Sequence, residues 1–193
     1  MNTQATTSRP KTLTGCLTGN ILETETGQRY KIKEIFLFDE LSDEAKERAI
    51  EKLWNINVDY NWWQWIYEDA EEIGLEITCF DLKRRRYNIN GKLLWSGEDV
   101  SKEILKNHGD SCETYKIAKQ YLGKLLAIKL QWDEESVEYE EGVEELKQWF
   151  EKELLNAYWD ILEKNYEYLT GKESIRETIE ANEYEFDEDG NLV

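Results

Sequence analysis

The stretch SVEYEEGVEELKQWFEKELLNAYWDILEKNYEYL, residues 136–169, decides the architecture. Val143, Leu146, Phe150, Leu154, Ala157 and Ile161 recur at spacings of three and four, which is the period of one face of an α-helix. The run is far longer than a strand and has no proline, so it predicts one long helix in the C-terminal half. Gly142 lies near its start and Gly171 at its end. The same segment overlaps the most acidic part of the chain. Ten of the 21 residues 133–153 are Asp or Glu, opposed only by Lys147 and Lys152. Glu134, Glu138, Glu141 and Glu145 follow one another at spacings of four, three and four. On a helix that spacing stacks four carboxylates on one face. Such like-charge neighbours cost a helix about 0.2–0.5 kcal/mol per pair, which an apolar stripe on the other side can absorb.

Working outward, the rest of the chain reads as α+β. Residues 1–30 form a flexible or partly stranded N-terminal segment, and residues 31–193 a single α+β domain. Residues 29–38 read as a strand. Ser42 is a good helix N-cap, with Asp43 and Glu44 complementing the dipole and Ala45, Ala49, Ile50 and Leu53 forming a stripe. A second helix is expected over residues 59–73, with Trp62, Trp65, Ile66, Ala70 and Ile73 inward and Gly74 as its stop. Leu75, Ile77 and Cys79 share one face of the next strand. Asn90-Gly91 then reads as the turn of a hairpin joining residues 86–89 to 92–95. Helices follow over 98–107, 112–130 and 173–182, and residues 184–186 make a short last strand. The expected fold is a small, mostly antiparallel sheet packed against several helices.

Composition limits the function. The chain has 193 residues, 40% of them apolar, with eight Trp and eleven Tyr, which suffices for a core. Its net charge of −18 repels nucleic acid and anionic membrane and attracts basic surfaces. Neither direct nucleic-acid binding nor membrane binding is expected. Cys16, Cys79 and Cys112 are odd in number and widely spaced, which suits free thiols in the cytoplasm better than disulfides. No apolar run approaches membrane-spanning length, and no signal-peptide pattern opens the chain.

Motifs for catalysis are scarce. His108, the single histidine, stands at a predicted helix C-terminus, where a cap outweighs an acid–base role. Zinc ligands would have to come from Cys16, Cys79, Cys112 and His108, whose spacing fits no compact motif. Asp187-Glu188-Asp189-Gly190-Asn191 is an acidic turn, since the chain ends before the bidentate Glu of a calcium loop. No phosphate loop or dinucleotide fingerprint is present. No catalytic, cofactor or metal residues are therefore assigned, and no enzyme activity is expected. Lys83-Arg84-Arg85-Arg86 is the one basic cluster. It suits ion pairing, within the chain or between subunits, better than single-stranded nucleic acid. Trp63 would point away from the core if its helix were regular, and aromatics are favoured at interfaces. Glu134, Glu138, Glu141, Glu145 and Trp63 are thus the candidate partner-binding residues, and the aromatics leave a homodimer open.

Three groups of segments carry a likeness to a known set of proteins. They are Phe38-Asp39-Glu40-Leu41-Ser42-Asp43-Glu44-Ala45-Lys46-Glu47-Arg48-Ala49, then Asn107-His108-Gly109-Asp110-Ser111-Cys112-Glu113-Thr114-Tyr115, then Glu167-Tyr168-Leu169-Thr170 with Glu180-Ala181-Asn182-Glu183-Tyr184-Glu185-Phe186. Over about residues 32–193 the chain resembles small proteins of phages, prophages and other mobile elements, often labelled as the antitoxin of a toxin–antitoxin stability system. The resemblance carries over no catalytic residues. It implies a mobile-element setting, in which small acidic proteins occupy the nucleic-acid grooves of host defence nucleases. The charge then suggests a non-enzymatic inhibitor of a basic host nuclease or CRISPR effector, by nucleic-acid mimicry. The alternatives are an antitoxin that binds one cognate toxin through the Trp-rich helix, and a metal-dependent hydrolase with acidic ligands.

Overall fold

A computed structural model describes the backbone of residues 15–18, 21–24 and 29–31, and all of residues 34–83 and 87–193. Residues 1–14 lie outside that description, as do Arg84, Arg85 and Arg86 of the basic cluster. The fold is mixed α+β, with six α-helices and short antiparallel strands among the described residues. The chain divides into two compact units, Met1–Leu53 with Arg176–Val193, and Trp54–Ile175.

In the first unit, β1 (Gly15–Thr18), β2 (Ile21–Thr24) and β3 (Arg29–Lys31) form an antiparallel sheet in that order. A separate ribbon pairs β4 (Phe36–Leu37) with the C-terminal β7 (Glu185–Phe186). The single strand expected over 29–38 is therefore two strands of different sheets, because β4 takes its partner from the far end of the chain. Helix α1 (Asp43–Lys52) starts where Ser42 Oγ accepts the Ala45 N–H at 3.2 Å. Ala45 and Ala49, one turn apart, are fully buried, while Ile50 and Leu53 are half-buried. Phe38 and Phe186 meet edge to face at 6.2 Å. Past β7, Asp187 Oδ1 accepts the backbone N–H groups of Asp189 and Asn191, which closes the acidic turn with a local side-chain hydrogen bond.

The second unit holds α2 (Gln64–Glu72), the ribbon β5 (Leu75–Phe80) and β6 (Ile89–Leu93), then α3 (Gly97–Asn107), α4 (Glu113–Gln131) and α5 (Val137–Leu169). The unit boundary falls within α6 (Lys172–Ala181). Helix α5 is the 33-residue helix its sequence predicts, capped by Ser136 Oγ on the Tyr139 N–H at 3.2 Å. Its buried residues include Leu146, Phe150, Leu154, Ala157 and Leu162, with Val143 and Ile161 partly buried beside them. Phe150 stacks on Tyr121 of α4 at 4.3 Å between ring centroids.

Three local expectations fail for identifiable reasons. Helix α2 begins at Gln64, five residues later than its period suggests, so Trp62 and Trp63 lie in the turn before it. On the shorter helix the buried positions are Ile66 and Ala70, and Trp65 is 54% exposed rather than inward. Asn90-Gly91 is not a hairpin turn. It lies inside β6, which pairs antiparallel with β5. The ladder shifts register between Ile77, opposite Gly91, and Cys79, opposite Asn90. The pair is a β-bulge signal, which shares its residue preference with a turn. The same shift turns Cys79 outward, although Leu75 and Ile77 remain buried.

Gly91 is required by close approach. A Cβ there would lie 2.2 Å from the Glu76 carbonyl oxygen and 2.8 Å from Leu155 Cδ2. Gly74, the predicted stop of α2, has φ +83° with the Trp95 ring lying against it. Gly91→Ala should destabilise the protein by about 1–3 kcal/mol, the usual range for overpacking, read as a lower urea midpoint in chemical denaturation.

Candidate functional site

Two places gather side chains capable of function, and both are in the second unit. The first is the acidic start of α5. Glu138, Glu140, Glu141, Glu144 and Glu145 all lie on the helix, and all five are exposed. Asp133, Glu134 and Glu135, before the helix, are exposed too. Glu134 precedes the cap residue Ser136, so the expected four-carboxylate stack is three on the helix, Glu138, Glu141 and Glu145, plus one in the leading turn. Among the described residues no ion pair reaches Glu134, Glu138, Glu141 or Glu145. The ion pairs that do form use other acids, such as Glu98 with Lys102 and Lys129, or Glu103 with Lys106. Those contacts lower the Glu98 and Glu103 pKa values, chiefly through the lysine hydrogen bonds. Glu151, further along α5, serves the fold instead, since its Oε2 accepts the Leu93 N–H of β6 at 3.0 Å.

The charge density of this helix start is close to that of a nucleic acid. Five glutamates from Glu138 to Glu145 rise over roughly 10 Å of helix, or about one charge per 2 Å, against about one per 1.7 Å along duplex DNA. Lys147 and Lys152 are the nearest cations along the chain, on the C-terminal side of this row. Lys124 of α4 sits 3.4 Å over the Trp149 ring, so its charge is held against an aromatic face.

The Trp-rich segment is arranged differently from its sequence reading. Trp63, the candidate for exposure, is half-buried and packs edge to face on Trp62 and Phe80. The aromatics presented to solvent are Trp54, Tyr60 and Trp65. A helix assumed to start at residue 59 imposes helical phase on Trp62 and Trp63, which instead lie in the turn before α2. The turn signal Asn61, which precedes Trp62, could have corrected it.

The second place is a cleft of about 580 Å³ whose lining includes Asp69, His108, Cys112, Thr114, Asp160 and Lys164. His108 occupies the C-cap of α3, as expected, and its backbone N–H bonds the Ile104 carbonyl at 2.8 Å. Its ring does more than face the helix dipole. Nδ1 lies 2.6 Å from Thr114 Oγ1 at the start of α4, and Nε2 stands 3.8 Å from Asp69 Oδ1 of α2. The other Asp69 oxygen accepts the Tyr158 hydroxyl of α5 at 2.7 Å. Four helices are thus tied through one chain of polar groups. Burial pushes the Tyr158 phenol far above the ordinary tyrosine range, and its hydrogen bond to Asp69 and that carboxylate's charge add to the shift. Sequence reading found His108 but not its partners, which lie up to 89 positions apart and bear no local pattern.

Cys79 and Cys112 are exposed free thiols, and the Cys16 side chain lies outside the described residues. Among the described residues no group of three or more His, Cys, Asp or Glu side chains is arranged to hold a metal ion. Among them, too, no helix is long and apolar enough to cross a membrane. Of the basic cluster, Lys83 is exposed and its N–H bonds Asp81 Oδ1 at 2.8 Å. No protein family, curated protein or solved structure matches the chain.

Tyr158→Phe should lower stability by about 1–2 kcal/mol in denaturant titrations, since one hydrogen bond to a carboxylate is lost. The pH dependence gives a second readout. The folded pKa of Tyr158 lies above its unfolded value near 10, so the stabilisation is complete below about pH 10. Above it the unfolded chain loses the proton and the folded chain keeps it, so stability falls as pH rises. Tyr67 and Tyr121, also raised by burial, are common to both proteins. The wild type should therefore lose stability more steeply than Tyr158→Phe above pH 10, by up to about 1.4 kcal/mol per pH unit.

Proposed function

We propose that this protein is a non-enzymatic acidic inhibitor, of the kind mobile elements carry, that binds a basic host nuclease or CRISPR effector by standing in for nucleic acid. The observation that carries this reading is the row of carboxylates at the start of α5: Glu134, Glu138, Glu141 and Glu145 are exposed and outside any ion pair with the described residues, and the five glutamates from Glu138 to Glu145 approach the linear charge density of a duplex. A Lys/Arg-lined groove that neutralises phosphates can neutralise those four glutamates in their place. Association through such a face is fast and weakens with salt, because exposed charges are screened over about 8 Å at physiological ionic strength. The rigid helix matters, since it presents Glu138, Glu141 and Glu145 at fixed spacing and leaves only side-chain rotamers to be ordered on binding.

The test is a cleavage assay on a panel of purified restriction nucleases and CRISPR effectors with the full chain added. Inhibition of at least one effector is expected, with potency falling about tenfold or more between low and moderate salt. The combined variant Glu134→Gln, Glu138→Gln, Glu141→Gln, Glu145→Gln should lose inhibition to a similar extent while its circular dichroism stays unchanged. Inhibition that survives both the salt series and the variant removes mimicry as the mechanism.

A second reading has its own observation. Trp54, Tyr60 and Trp65 are exposed within twelve residues, which suits an antitoxin that grips one cognate toxin through aromatic anchors. Co-expression with a toxic neighbouring gene should then restore growth, and Trp54→Ala with Trp65→Ala should abolish the rescue.

A further inference from the structure

The turn between α4 and α5 joins two kinds of surface that soluble proteins usually keep apart. Leu126 and Leu130, one helical turn apart near the end of α4, are 58% and 81% exposed. Trp132, the C-cap of α4, is 41% exposed, and Val137, the first residue of α5, is 65% exposed. Lys129, the cation between the two leucines, is drawn off to Glu98 of α3 at 3.1 Å. Asp133, Glu134, Glu135 and Glu138 then follow, all exposed and separated from the apolar residues by at most a few positions. The turn is itself ordered: Ser136 N–H and Oγ both bond the Asp133 carbonyl, at 2.9 and 2.7 Å. The result is an ordered turn at which exposed apolar side chains, the tip, and exposed acids, the collar, follow one another closely along the chain.

We infer that this tip is the docking site for a cationic amphipathic helix of a partner protein, whose apolar side chains cover Leu126, Leu130, Trp132 and Val137 while its Lys and Arg residues meet the collar. This rests on the cationic-partner reading above and deepens it, because a purely electrostatic mimic has no use for four exposed apolar side chains. Charge chooses among occupants. A second copy of the chain would set the same acids against each other across a two-fold contact, and an anionic membrane would be repelled. A basic helix satisfies both halves of the surface, with its apolar positions recurring every three or four residues.

Two synthetic eighteen-residue helices serve as probes, one with a Lys face and a Leu face and one with every Leu replaced by Gln, at equal charge. Anisotropy of the labelled peptides against the full chain should show the Lys–Leu helix bound about tenfold or more tightly than the Lys–Gln helix, as burying two or three apolar side chains requires. Leu130→Ser with Val137→Ser should erase that preference and leave Lys–Gln affinity unchanged. Both positions are solvent-exposed, and an unchanged thermal midpoint verifies the fold. If wild type binds both peptides equally, or the variant keeps the preference, the apolar anchor is wrong while the acidic-surface reading stands. If neither peptide binds, both readings fall. If sedimentation finds a wild-type dimer that the double variant abolishes, the tip is a self-contact and the docking proposal is overturned.

Discussion

Burial along α5 must outweigh the repulsion written into its outer face, and the second unit depends on that balance. Glu138 with Glu141, Glu140 with Glu144, Glu141 with Glu144 and Glu141 with Glu145 are like-charged neighbours at helical spacing, worth together about 1–2 kcal/mol of destabilisation. Against them stand Leu146, Phe150, Leu154, Leu155, Tyr158, Trp159 and Leu162, all buried, at about 1.5–3 kcal/mol each when fully removed from water. The ratio approaches tenfold, so the helix tolerates its acids with ample margin. The two features also separate along the chain: repulsion crowds the first turns, while the largest buried side chains come later.

That margin explains how one helix serves both scaffold and surface. Phe150 stacks on Tyr121 to hold α4, Tyr158 reaches Asp69 of α2, and Glu151 bonds the backbone of β6. The collar acids make none of these contacts. Glu138 sits on a rod that other residues fix, and Asp133, Glu134 and Glu135 sit in the hydrogen-bonded turn that leads into it.

Legibility in the sequence followed how local each determinant is. Ser42 announces a helix start through a side chain three residues from its target and caps as read, and Ser136, where the long helix was expected to begin, caps in the same way. The long helix was legible because its stripe repeats over many turns. Asn90-Gly91 misled, since a glycine chosen for crowding against Glu76 looks the same as one chosen for a turn. Trp65 misled because it lies about 100° around the helix from Ile66 and further from Ala70, at the edge of the stripe, so an apolar residue there need not be buried. Of the candidate site, the acids were visible as composition, but Glu134 fell outside the helix, ahead of its cap Ser136. The polar chain through Asp69, His108, Thr114 and Tyr158 joins four helices, and no window of sequence contains it.

The contact between Glu151 and Leu93 has a further consequence. A ribbon of two strands leaves both flanks unpaired, and each free backbone donor there invites a strand from another molecule. On β6 the Leu93 donor already belongs to a carboxylate from the helix packed across it. An incoming strand meets an occupied position with an anion beside it. One acid of the run thus blocks this position of the β6 edge against an incoming strand.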